Sequence, residues 1–166
     1  RLMGSKPTDP YVINVPEAPM YFNPTGAYRK SFNIPTSWKG DKIFLRMEKV
    51  ASASFVWVNG EQVGYNEGAQ EPAEYDITEY VKPGKNSLSV LVLKYSDGYY
   101  LETQDYWRLA GIFDDVWVFA TPQARLFDWQ VITDFDSSYT DSQLSVAVDI
   151  QGYDLKADGY VVTADV

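Results

Sequence analysis

Leu101–Val118, LETQDYWRLAGIFDDVWV, sets the aspartates Asp105, Asp114 and Asp115 among two tryptophans, a tyrosine and a phenylalanine. Carboxylates in such company can accept hydrogen bonds from hydroxyls or hold a hard cation through oxygen. Asp114 and Asp115 cannot act together as an acid and a base, because neighbours on a strand point to opposite faces. The sequence contains no histidine and no cysteine. A Ser-His-Asp triad, a histidine-built zinc site, a thiolate metal site and a disulfide are therefore excluded within this chain. Any chemistry falls to carboxylates, amides, hydroxyls and aromatic rings.

Asp105, in QDYW, reads either as a loop aspartate capping a turn or as a ligand-facing carboxylate. Trp107 beside it can wall a site. Asn14, in YVINV, offers a donor and an acceptor, which suits a hydroxyl, or is an ordinary strand-end asparagine. Trp117 alternates with valines in DVWVFA and reads as packing. Trp57 reads as sandwich surface or core, and Trp38 as a packing anchor after a turn. Arg108 reads as structural, with Glu102, Asp114 and Asp115 as available ion-pair partners.

The elements that must position these residues are strands. Short β-rich runs alternate with turn signals: Gly26–Phe32, Lys42–Met47, Ser54–Val58, Gln62–Tyr65, Ala73–Asp76, Ser87–Tyr95 and Asp115–Ala120. Asn59-Gly60 between two runs predicts a hairpin with a type I′ turn. Asp76 can cap one turn of helix over Ile77–Tyr80, which Pro83-Gly84 ends. Ser87–Tyr95 is the most continuous apolar run and is expected to be central, with Ser96–Gly98 breaking it. No long helix is predicted. After Pro122 the texture changes, and Arg125–Phe135, Gln143–Ile150 and Tyr160–Val166 read as three further strands. They are too few for a sandwich, which needs about seven.

The chain has 166 residues and a net charge of −9, with no run of Lys or Arg. Its size allows a substantial core, and its 16% aromatic content argues against disorder. Nucleic acid is a poor partner without clustered cations. No apolar run approaches the roughly 20 residues of a membrane span. The lack of cysteine suits the cytoplasm or the periplasm.

Four segments occur together in order: NPTGAYRKSFNIPTSW, FVWVNGEQVGY, PAEYDITEYVKPGKNSLSVLVLKYSDGYYLETQDYWRLAGIF and VITDFDSSYTDSQLSVAVDI. With them the chain, from about Tyr11 to Ile150, resembles the N-terminal sugar-binding domain of glycoside hydrolase family 2, and within it the large bacterial β-galactosidases. The resemblance implies an all-β fold: a galactose-binding-like jelly-roll β-sandwich over 1–122 without its first strands, then the incomplete start of an immunoglobulin-like domain over 123–166. It implies a retaining glycosidase whose catalytic glutamates lie in a (β/α)₈ barrel that this chain lacks, so the chain alone is expected to be inactive. Asp105 is implied to touch the galactosyl end of a β-galactoside and to ligate sodium once the barrel is present, with Asn14 and Trp107 as further substrate contacts. Sodium and magnesium are the cofactors implied for the complete enzyme, and none is expected in this chain. Implied partners are a β-galactoside or galactosyl oligosaccharide and the enzyme's own barrel. Sheet edges left open by absent strands also suggest a homo-oligomer or strand-paired dimer. Asp114 stands where the family usually has arginine. An autonomous carbohydrate-binding module and an adhesion sandwich are the competing readings of the same β pattern.

Overall fold

The structure, a computed structural model, describes residues 18–19, 22–102, 109–152 and 160–164. The chain divides into two compact units, Arg1–Ala120 and Thr121–Val166. The first holds β1 (Thr25–Ile34), β2 (Lys42–Met47), β3 (Val50–Ala51), β4 (Ala53–Val58), β5 (Glu61–Asn66), β6 (Ala73–Asp76), β7 (Gly84–Leu93), the helix α1 (Asp97–Leu101), β8 (Gly111–Ile112) and β9 (Val116–Thr121). The second holds β10 (Ala124–Phe135) and β11 (Ser142–Gly152), paired antiparallel. The fold is all-β, as the run-and-turn pattern predicts.

In the first unit, one sheet has the order β1-β7-β4-β5 and the other β6-β2-β9, with a small β3-β8 pair beside them. β7 is central, paired antiparallel to β1 and to β4. Its even-numbered residues face inward, so Val90 and Val92 join Val56 and Val58 of β4 in the core. Ile43, Leu45 and Met47 of β2 meet them from the second sheet. Trp38 packs against the same cluster, as expected of an anchor after a turn. Asn59 (φ 52°) and Gly60 (φ 96°) make the β4–β5 turn in the left-handed conformations that a type I′ turn requires.

Several expectations are corrected. The turn after Asp76 is a 3-10 turn over Thr78–Tyr80, and β7 begins at Gly84. Asp76 still serves it, accepting from the Thr78 N–H at 3.0 Å and from its hydroxyl at 2.5 Å. Burial works against the Asp76 charge, but Thr78 and Lys42 outweigh it and hold the carboxyl below its usual range. Ser96–Gly98 does not merely break a strand; it opens α1. Residues 160–164 carry no strand, because nothing among the described residues pairs with them. Trp117 is 52% exposed rather than packed, while Val118 and Ala120 of the same strand pack against the core. Between β1 and β9 the sandwich stays open as a groove of about 430 Å³, lined by Tyr28, Lys30, Phe32, Val90, Val116 and Val118.

A buried amide ties the two ends of the β4–β5 and β6–β7 connections. Asn86 is 2% exposed. Its oxygen accepts from Asn59 Nδ2 at 2.8 Å and the Lys82 N–H at 3.0 Å, while its nitrogen donates to the carbonyls of Lys82 and Gly84. All four of its hydrogen-bonding positions are used. Asn86→Ala is expected to cost about 1–3 kcal/mol by leaving buried partners unsatisfied, read as a lower urea midpoint with unchanged m-value.

Candidate functional site

The residues singled out for chemistry, Asn14, Asp105 and Trp107, lie outside the described residues, as does Arg108. What the structure describes is a platform at the end of β7 that runs up to Glu102, and the description resumes at Leu109.

The platform begins where β7 ends. The Lys94 N–H donates to the Pro24 carbonyl, and the Asn23 amide pairs with both main-chain groups of Tyr95 at 2.8 and 2.9 Å. A side chain thus extends the ladder that β1 no longer provides. The next residue, Ser96, is the N-cap of α1: its hydroxyl accepts from the Tyr99 N–H at 3.2 Å and donates to the Ser52 hydroxyl at 3.0 Å. Ser52 in turn donates to the carbonyl of Lys94 at 2.9 Å. Tyr95, Tyr99 and Tyr100 form an edge-to-face ladder with centroids 5.1 and 5.3 Å apart.

The β5–β6 loop closes on α1 from the other side. Asn66 donates to the Gly68 carbonyl and shapes the loop. The Ala69 N–H donates to the Glu102 carboxylate at 2.8 Å, spanning 33 residues of sequence. Gly98 is buried against the loop, and a Cβ there would stand 3.0 Å from the Glu67 carbonyl oxygen. Only glycine allows that approach without displacement.

Three carboxyl groups meet here. A hydrogen bond donated to Asp97 raises the Glu67 carboxyl above its usual range, helped by burial and by the negative charges of Asp97 and Glu102. The same bond lowers Asp97, with the Gly98 N–H assisting. Of the two, Glu67 is therefore the carboxyl that keeps its proton to the higher pH. Tyr65 donates to Glu67 as well. Glycosidase carboxyl pairs stand about 5 Å apart in retaining enzymes and further in inverting ones. Glu67 and Asp97 are in direct contact, so no glycosidic bond fits between them. Among the described residues, no group of three or more His, Cys, Asp and Glu side chains is arranged to hold a metal ion.

The puzzle of Asp114 is resolved locally. Its carboxylate accepts from the Asp115 N–H at 2.8 Å and lies 3.9 Å from Lys49 Nζ. It caps its own turn and faces a cation on the neighbouring connection. Sequence reasoning misses Ser52, Glu67, Ser96, Asp97 and Glu102. A serine followed by an aspartate in the first turn is a helix-start signal, but α1 is too short to show helical periodicity.

Residues 5–122 match the family described as "Glycosyl hydrolases family 2, sugar binding domain". The chain is 43% identical over 150 residues to a β-galactosidase of Priestia megaterium, covering 88% of this chain and 14% of that one. It is 41% identical over 160 residues to a β-galactosidase of Leuconostoc mesenteroides, covering 95% of this chain and 15% of that one. The chain therefore spans about one-seventh of these relatives. Among solved structures, a β-D-glucuronidase from Dictyoglomus thermophilum superposes with a TM-score of 0.64 at 26% identity, over 77% of this chain and 26% of the other.

The opposite shifts of Glu67 and Asp97 carry a pH dependence. Glu67 is raised on folding from 4.5, so its contribution is fully present below about pH 4.5 and is lost as pH rises through its folded value. Asp97 is lowered from 3.8, so its contribution is present above about pH 3.8 and is lost as pH falls through its folded value. Relative to Glu67→Gln, the wild-type chain should lose stability as pH rises above about 4.5. Urea midpoints of both proteins across that range check this; parallel pH profiles would contradict the raised Glu67 carboxyl.

Proposed function

The chain belongs to glycosyl hydrolase family 2, whose sugar-binding domain it matches, and on that premise we propose that it is the non-catalytic N-terminal portion of a β-galactosidase acting on terminal β-galactosides. The observation that carries this reading is the identity of 41–43% to two β-galactosidases over almost the whole chain. The local geometry supports it. The described carboxyls Glu67 and Asp97 are hydrogen-bonded to each other rather than set apart across a substrate.

In the complete enzyme, Asp105 accepts hydrogen bonds from galactosyl hydroxyls, and Trp107 and Asn14 border the same pocket. The acid/base and nucleophile glutamates belong to a barrel outside this chain. Sodium, with Asp105 among its ligands, and magnesium are cofactors of that whole assembly, and the unit beginning at Thr121 is the start of an immunoglobulin-like domain. The partners are the barrel and a β-galactoside or galactosyl oligosaccharide.

Two measurements test the reading. The purified chain should not hydrolyse nitrophenyl β-galactoside above the buffer blank, and saturable turnover by it would contradict the proposal. In the intact enzyme, Asp105→Ala should lower kcat/KM for the same substrate by about 100-fold or more, whereas an unchanged value would remove Asp105 from the pocket.

A further inference from the structure

The outer face of the four-stranded sheet carries a pattern that the core does not explain. In β4, Val56 and Val58 point inward at 0% exposure, so Phe55 and Trp57 stand on the other side, half-buried. Their rings stack with centroids 6.1 Å apart, and Tyr65 of β5 meets Phe55 at 4.6 Å. The strand register sets two rows side by side. Leu91, Phe55 and Tyr65 make one row. Arg29, Ser89, Trp57 and Gln62 make the next. An apolar strip thus runs beside a strip of hydrogen-bonding groups.

The Trp57 row depends on an irregularity in β5. Val56 pairs with Gly64, so an unbroken register would set Val63 opposite Trp57. A bulge sets Gln62 there instead, and Val63 packs against the core. The bulge therefore takes an apolar neighbour away from the indole and supplies an amide, which is both donor and acceptor.

We propose that this face binds a neutral, β-linked oligosaccharide, its pyranose rings laid along Trp57, Phe55 and Tyr65 and its hydroxyls on Gln62, Ser89 and Arg29. The C–H face of a pyranose packs on an aromatic plane, while its hydroxyls need donors and acceptors at the rim. Ring steps of 4.6 and 6.1 Å are comparable to one pyranose unit. β-Linked chains extend as flat ribbons, which a flat strip of strands can follow. No carboxylate stands in either row, although the chain carries a net charge of −9; the Tyr65 hydroxyl donates to Glu67 at the edge. That overall charge repels a polyanionic glycan, so the ligand is neutral. The face is also firmly held, since Asn59 bonds both main-chain groups of Ser87 at 2.9 Å, beside the Trp57 row. The proposal stands whether or not Asp105 meets a galactosyl group.

The test follows amide chemical shifts of the 166-residue chain during titration with β-1,4-galactotetraose and with cellotetraose. Saturable binding of at least one sugar, millimolar or tighter, is expected, with shifts centred on Trp57, Gln62 and Ser89. Gln62→Ala, at an exposed position, should weaken that binding about threefold or more, as the loss of one hydrogen bond does. Trp57→Leu keeps apolar bulk but not the ring, and should weaken it about five- to tenfold. Native dispersion of the spectra shows that each variant is folded. Asp105→Ala should bind like the wild type. Absence of saturable binding for both sugars would overturn the proposal. So would binding unchanged by Trp57→Leu and Gln62→Ala, or binding lost in Asp105→Ala. Tighter binding of an acidic oligogalacturonate than of either tetraose would also overturn it, because the ligand would then be an anion.

Discussion

At the foot of β7 the Ser96 hydroxyl meets the Ser52 hydroxyl at 3.0 Å, and both serines are nearly inaccessible, at 5% and 1% exposure. Each hydroxyl has one proton to give, and each is accounted for: Ser96 donates to Ser52, and Ser52 donates to the main chain at Leu93 and Lys94. The acceptor side of Ser96 is left for the Tyr99 N–H, which starts α1. A buried polar contact is tolerable only when satisfied in this way. Its geometry forces the central strand to end and a helix to begin at one place. The position of α1, the approach of the β5–β6 loop and the exit of the chain at Glu102 all depend on that junction.

The electrostatics of this end of the sandwich fit support better than catalysis. On a chain with net charge −9, three acidic side chains converge, and their interaction pushes the Glu67 carboxyl up while the hydrogen bond between them pulls Asp97 down. The chain belongs to glycosyl hydrolase family 2 and spans about one-seventh of the β-galactosidases it matches.

The strands are legible in the sequence because their signals are local. Lys42–Met47 has the same bounds in the sequence pattern and in the structure, and Asn59-Gly60 specifies its turn through two left-handed residues. Centrality of β7 is visible in its unbroken apolar run, which a strand paired on both sides can bury. The platform is not legible, because its contacts are long-range and polar. Ser52–Ser96 spans 44 residues and Ala69–Glu102 spans 33, and neither leaves a periodic trace. Trp117 misleads because alternation says which residues share a face but not which face is covered. Of the candidate site, the segment around Asp105 is marked by motif resemblance rather than by the physics of its residues, and Asn14, Asp105 and Trp107 fall outside what the structure describes.

The central claim is that this domain lends a carboxylate to an active site completed elsewhere. A crystal structure of the intact enzyme with galactose bound would test it most directly. Asp105 is predicted to lie within hydrogen-bonding distance of a galactosyl hydroxyl. A galactose site with no residue of the QDYW segment against the sugar would contradict the claim.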